Sequence, residues 1–122
     1  MRVMYLVKSN HPGPPSAELG EAIQKLTARE VKAGRLLDQG GLMPISMGAE
    51  IQIKDGKLNL IDGPFVEAKE VVGGFAVFEL RDKEEAIAMA TEFMQLHRDL
   101  MPGWYGTCEV RFFATPPHSP TK

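Results

Sequence analysis

Two short runs in this chain, Val3-Met4-Tyr5-Leu6-Val7 and Phe75-Ala76-Val77-Phe78, are apolar in both of their alternating sets. Side chains along a strand point to opposite faces with a period of two, so a sheet covered on one side only shows a polar residue at every second position. Both faces of these strands therefore require cover. A chain of 122 residues fits one compact domain, and dividing it would leave each half too small to bury a core. No sequence is left for a third layer. A second copy of the chain is the economical cover, since most soluble homo-oligomers are two-fold dimers.

The order of elements narrows the fold. The run at 3–7 reads as a strand that ends at Lys8 and a loop of Ser9-Asn10-His11-Pro12-Gly13-Pro14-Pro15. Ser16 is placed to cap a helix in which Leu19, Ala22, Ile23 and Leu26 share a face, with Glu18 and Glu21 near the positive end of the dipole and Gly34 at its close. Residues 35–43 read as a second strand, bulged at Gly40-Gly41 and closed by Pro44. Ile51 and Ile53 are expected to face Leu58 and Leu60 across a hairpin with Asp55-Gly56 at its turn. A strand over 74–80 precedes Asp82-Lys83-Glu84-Glu85, a capping-box-like start to a helix whose stripe is Ala86, Ala90, Phe93 and His97. Pro102 and Gly103 stop that helix, and 107–113 makes the last strand. The sum is an α+β chain of ferredoxin-like plan, βαββαβ with an extra β-hairpin, both helices lying on one face of a mainly antiparallel sheet. A single domain is expected over 1–113, followed by a disordered tail at 114–122 that lacks the apolar residues to fold.

Composition limits the partners. A net charge of −2 and a pI near 5.9 argue against direct nucleic-acid binding, which depends on Lys and Arg neutralising many phosphates. No apolar run approaches the ~20 residues that span a bilayer, and Arg2 and Lys8 interrupt any secretory core, so no membrane partner and a cytoplasmic location are expected. The single cysteine, Cys108, rules out an intramolecular disulfide and any Cys-pair metal site, and on a strand it reads as core.

The stretch that concentrates polar chemistry is Asp62-Gly63-Pro64-Phe65, followed by Val66-Glu67-Ala68-Lys69-Glu70 and Gly73-Gly74. Glycine and proline restrain the backbone here, which is how a chain holds polar groups in fixed relative positions. Asp62 reads either as a turn cap or, beside Glu67, as half of an acid/base pair in which crowding raises the pKa of one carboxyl. Lys69 and Arg111 are the candidates for holding a negatively charged substrate group. Glu109 and Arg111 share one strand face, and Arg111 is expected to pair with Asp62 or Glu67 if that face is buried. Lys69 and Glu70 read alternatively as a solvated strand-edge ion pair, and His97, inside an apolar stripe, as a satisfied core histidine. His11, His97 and His118 lack metal-ligand spacing, and Gly73-Gly74 leads into a strand instead of a helix N-terminus, so neither a metal nor a cofactor is expected.

At Asp62-Gly63-Pro64-Phe65 the chain resembles the DGPF group of the YCII-related family, bacterial proteins of the dimeric α+β barrel type. The likeness extends to Gly41-Leu42-Met43-Pro44, Glu67-x-Lys69-Glu70, Gly73-Gly74 and Glu109-Val110-Arg111, spanning about residues 1–113. It implies a ferredoxin-like protomer, a homodimer with sheets packed face to face, and a pocket near the DGPF loop. Two function classes follow from it. One is a small-molecule enzyme, since some members resemble a dehydrochlorinase of aromatic catabolism. The other is a non-catalytic ligand-binding or regulatory module, since DGPF domains often accompany extracytoplasmic-function sigma factors. The YCII branch is associated with a His/Asp pair whose His lies in the first helix; here the segment 16–32 contains no histidine.

Overall fold

The computed structural model describes residues 1–10, 14–62 and 70–114. Its elements are β1 (Arg2–Ser9), α1 (Ala17–Lys32), β2 (Leu36–Gly41), a 3-10 turn (Ile45–Met47), β3 (Ala49–Lys54), β4 (Lys57–Asp62), β5 (Val71–Glu79), α2 (Lys83–Leu100) and β6 (Gly106–Phe112). Four strands form one sheet in the order β2-β5-β1-β6, and β3 and β4 form a separate two-stranded sheet. All three ladders of the larger sheet are antiparallel. An α+β chain with this strand order and two helices is compatible with the ferredoxin-like plan. Gly63, Glu67 and Lys69, and the tail expected to be disordered from 115 onward, lie outside the described residues.

Both helices begin on side-chain caps. Ser16 Oγ accepts from Leu19 N at 3.2 Å and donates to Leu100 O, so the start of α1 is tied to the end of α2. Asp82 Oδ1 accepts from Glu85 N at 2.8 Å. The reciprocal half of the box is displaced by one residue, because Glu85 Oε1 accepts from Arg81 N instead of the cap residue's own N–H. Gly34, at φ +76°, takes the left-handed turn that ends α1.

The helices cover one sheet face. Val3, Tyr5 and Phe78 point into the core beneath Leu80, Ala86, Met89 and Ala90. Tyr5 and Phe78 meet edge to face at 5.4 Å, and the Tyr5 hydroxyl donates to Ala86 O at 2.7 Å, fastening β1 to the first turn of α2. The opposite alternating set, Met4 and Leu6 on β1 with Phe75 and Val77 on β5, is half-buried on the uncovered face.

The second strand differs from its expected form. It is limited to Leu36–Gly41, and its irregularity falls between Leu36 and Asp38 instead of at Gly40-Gly41. The glycines serve close approach: a Cβ on Gly74 would lie 3.2 Å from Gly40 O, and one on Gly40 would lie 3.0 Å from the Phe75 ring. In β3 and β4, Ile51 pairs with Leu60 and Ile53 with Leu58. Asp55 and Gly56 both take positive φ, 54° and 75°, as the tight hairpin turn requires.

Candidate ligand cavity between the helices and the sheet

A cavity of about 420 Å³ lies between the helices and the sheet. Its floor is Tyr5, Val7, Ala76 and Phe78, its roof is Ile23 and Leu26 of α1 with Met89 and Phe93 of α2, and Cys108 closes the β6 side. Along the β2–β5 ladder the wall is Gly40, Gly41, Gly73 and Gly74. Gly41 pairs with Gly74, which pairs with Val7, so these three look toward the helices. Bare glycine at this end leaves space that side chains would otherwise fill. The lining is mostly aliphatic and aromatic, as in sites for compact apolar ligands.

The titratable groups of the wall are engaged elsewhere. Glu30 is fully buried; its Oε1 accepts from Arg35 Nε at 2.7 Å, and its Oε2 accepts from Arg29 Nε and Arg35 Nη2, both at 2.8 Å. Arg29 also grips Glu92 through two bonds of 2.8 Å, holding that carboxyl below its ordinary range and joining α1 to α2. Burial raises the Tyr5 hydroxyl well above its ordinary value, with smaller contributions from Cys108, Glu85 and Glu30. Burial likewise pushes the Cys108 thiol up to about 11. Neither Tyr5 nor Cys108 is poised for proton transfer near neutrality, and both Glu30 oxygens are occupied by guanidinium donors.

The predicted site residues fall in different places. Asp62 ends β4, opposite Ala49, and is exposed. Glu67 and Lys69 are outside the described residues. Glu70, at the foot of β5, accepts from Thr107 Oγ1 at 3.1 Å and adds to the field that holds Lys8 protonated. Arg111 lies on the uncovered sheet face, opposite the cavity, and donates to Glu109 Oε2 at 3.0 Å. Lys8 Nζ donates to Glu109 Oε1 at 2.8 Å, so Lys8 first and Arg111 second hold the Glu109 carboxyl below its ordinary range. The described partner of Arg111 is thus a neighbour on its own strand and not Asp62. His97 is buried between Phe93 and Trp104, with ring centroids 4.6 and 4.5 Å away and Nδ1 3.0 Å from Phe93 O. Burial lowers its pKa, against a smaller opposing effect of that hydrogen bond, and keeps the ring neutral.

Sequence reasoning passed over Glu30. Its signal was present: at helical spacing it continues the stripe of Leu19, Ile23 and Leu26, a place where a carboxylate must be buried and paired. Among the described residues no group of three or more His, Cys, Asp and Glu side chains converges as a metal site would require.

The fold and cavity define a small α+β domain with an apolar pocket between its two helices and its four-stranded sheet. The model of the YCII-related domain matches residues 1–96, and the chain belongs to that family. The match covers α1, most of α2, the glycine wall and the whole Asp62-to-Lys69 stretch, and it ends within α2, short of β6. No curated protein matches the chain.

Proposed function

We propose that this protein binds a compact, largely apolar or aromatic metabolite in the cavity and moves a proton on it with carboxylates supplied by the 62–69 stretch. The observation that carries this reading is a cavity of about 420 Å³ whose own titratable groups are committed or poorly poised. Proton chemistry at neutral pH then has to be supplied from outside the wall. The glycine end of the cavity runs to Gly73, close in sequence to where the 62–69 stretch rejoins the sheet. Asp62 and Glu67 are the proposed acid/base pair, one carboxylate accepting a proton from the ligand while the protonated partner returns one. Lys69 is proposed to hold negative charge on the ligand. Arg111 can contribute to anion binding only from the uncovered sheet face, opposite the cavity.

A second reading has its own support: the poorly poised wall groups equally suit a non-catalytic module that binds a ligand and signals through protein contacts. Substitution separates the two. Asp62→Asn and Glu67→Gln keep shape and lose basicity, so the enzyme reading expects turnover to fall by roughly 100-fold or more with ligand affinity retained. Unchanged turnover in both variants would remove Asp62 and Glu67 as the acid/base pair, and a wild type that binds a ligand in the cavity without converting it would replace catalysis with ligand binding alone.

We further propose that the chain works as a homodimer. Half-buried Met4, Leu6, Phe75 and Val77 line the uncovered sheet face, and a second copy is the cover that two-fold symmetry offers.

A further inference from the structure

The β3–β4 hairpin is amphipathic in the wrong sense for a lone chain. Ile51, Ile53, Leu58 and Leu60 lie on one face, as two directly opposed pairs, and are 62%, 77%, 73% and 64% exposed. The other face carries Glu50, Gln52, Asn59 and Ile61, with Gln52 Nε2 donating to Glu50 Oε1 at 2.6 Å. Alternation of this kind is the signature of a strand pair with one buried face. The hairpin does not join the four-stranded sheet, and two strands alone are marginally stable in water. At its base Met43 and Met47 are also exposed.

We infer that the apolar face of this hairpin is an arm that packs on a second copy of the chain, each copy giving one arm and receiving one. The inference rests on the two-copy assembly proposed above and adds the surface that holds it together. Area favours this occupant. The four side chains present on the order of 400 Å² of apolar surface, the size of the largest patch on a typical monomer, which is often functional. Two arms with the surfaces that receive them bury on the order of 1,600 Å², the size of a standard specific interface. Complementarity favours it as well, because the same chain carries a second apolar surface, the open sheet face with Met4, Leu6, Phe75 and Val77. Two-fold exchange places both kinds of surface on both copies, which a one-sided partner would not do.

The test is sedimentation velocity of the full chain across a concentration series, for the wild type and for the double variant Ile53→Lys, Leu58→Lys. The expected result is a wild-type dimer at micromolar concentration and a variant whose dimer dissociation constant is raised on the order of 100-fold, its far-UV circular dichroism retained. A wild-type monomer would overturn the assembly and the arm together. A variant that dimerises like the wild type would overturn the arm alone and leave the sheet-to-sheet assembly standing; that is also the outcome if another part of the same chain covers the hairpin. Hydrogen exchange supplies a readout independent of the variant's folding. Hairpin amides from 50–61 should be protected in the dimer and lose protection on dilution, and protection that ignores concentration would count against the arm.

Discussion

Gly41 is the residue at which the cavity can be tested with least damage. A Cβ there would meet only Gly73 O, at 3.9 Å, and it would point toward the helices. Gly41→Leu is therefore expected to fill the glycine end of the cavity, weakening ligand binding about tenfold or more while moving the melting temperature by only a few degrees. Calorimetric titration beside a thermal melt reads both. Gly106 is the contrasting case, since a Cβ would lie 2.5 Å from Lys8 O and would run into the Trp104 indole. Gly106→Val should cost about 2–4 kcal/mol in denaturant unfolding, because a backbone oxygen cannot yield as a side chain does. His97 gives the molecule a pH dependence of definite sign. Its folded pKa lies below the ordinary 6.5, so as pH falls through that value the unfolded chain takes up the proton first and stability is lost until the folded ring protonates as well. The melting temperature should fall between pH 7 and 5.5 more steeply for the wild type than for His97→Phe, and equal slopes would show that the ring is not the cause. Glu79, Asp82, Glu92, Asp99 and Glu109 act lower: their depressed pKa values give stability that is present above the ordinary carboxylate range and lost below it.

The helices were legible because their signals are local. Ser16 and Asp82 cap where their spacing to apolar stripes puts them, and Gly34 and Gly103 adopt the positive φ that ends an element. Ser16→Ala should cost about 1 kcal/mol in chemical unfolding, or somewhat more, since the same hydroxyl bridges to Leu100 O. The glycines of β2 and β5 were less legible. Gly40-Gly41 suggested a bulge, and only the β2–β5 register reveals that Gly40 pairs with Phe75, whose ring a Cβ would crowd, and that Gly41 pairs with Gly74. The cavity could not be read from sequence, because it is bounded by residues from both helices and four strands whose only common feature is where the fold puts them. Asp62 was singled out for its place in a turn, yet it is the last residue of a strand whose partner is Ala49. The charges of β6 were placed on one face correctly, whereas their pairing depended on Lys8, which adjoins them only through the β1–β6 ladder.

At the scale of the whole molecule, three surfaces divide the work: a helix-covered face that encloses the cavity, an open sheet face, and a hairpin carrying its apolar residues outward. The doubly apolar strands are enough to imply the second of these from sequence, and the third follows from the hairpin's exposure. The proposed function stands on the first. Methyl-labelled protein titrated with a monocyclic phenol, followed by carbon–proton correlation spectra, tests it most directly. Saturable shifts at Ile23, Leu26, Leu36 and Met89, with the hairpin methyls of Ile53 and Leu58 unmoved, are the predicted result. Spectra in which the cavity methyls stay fixed while the phenol shifts only surface methyls without saturation would contradict it.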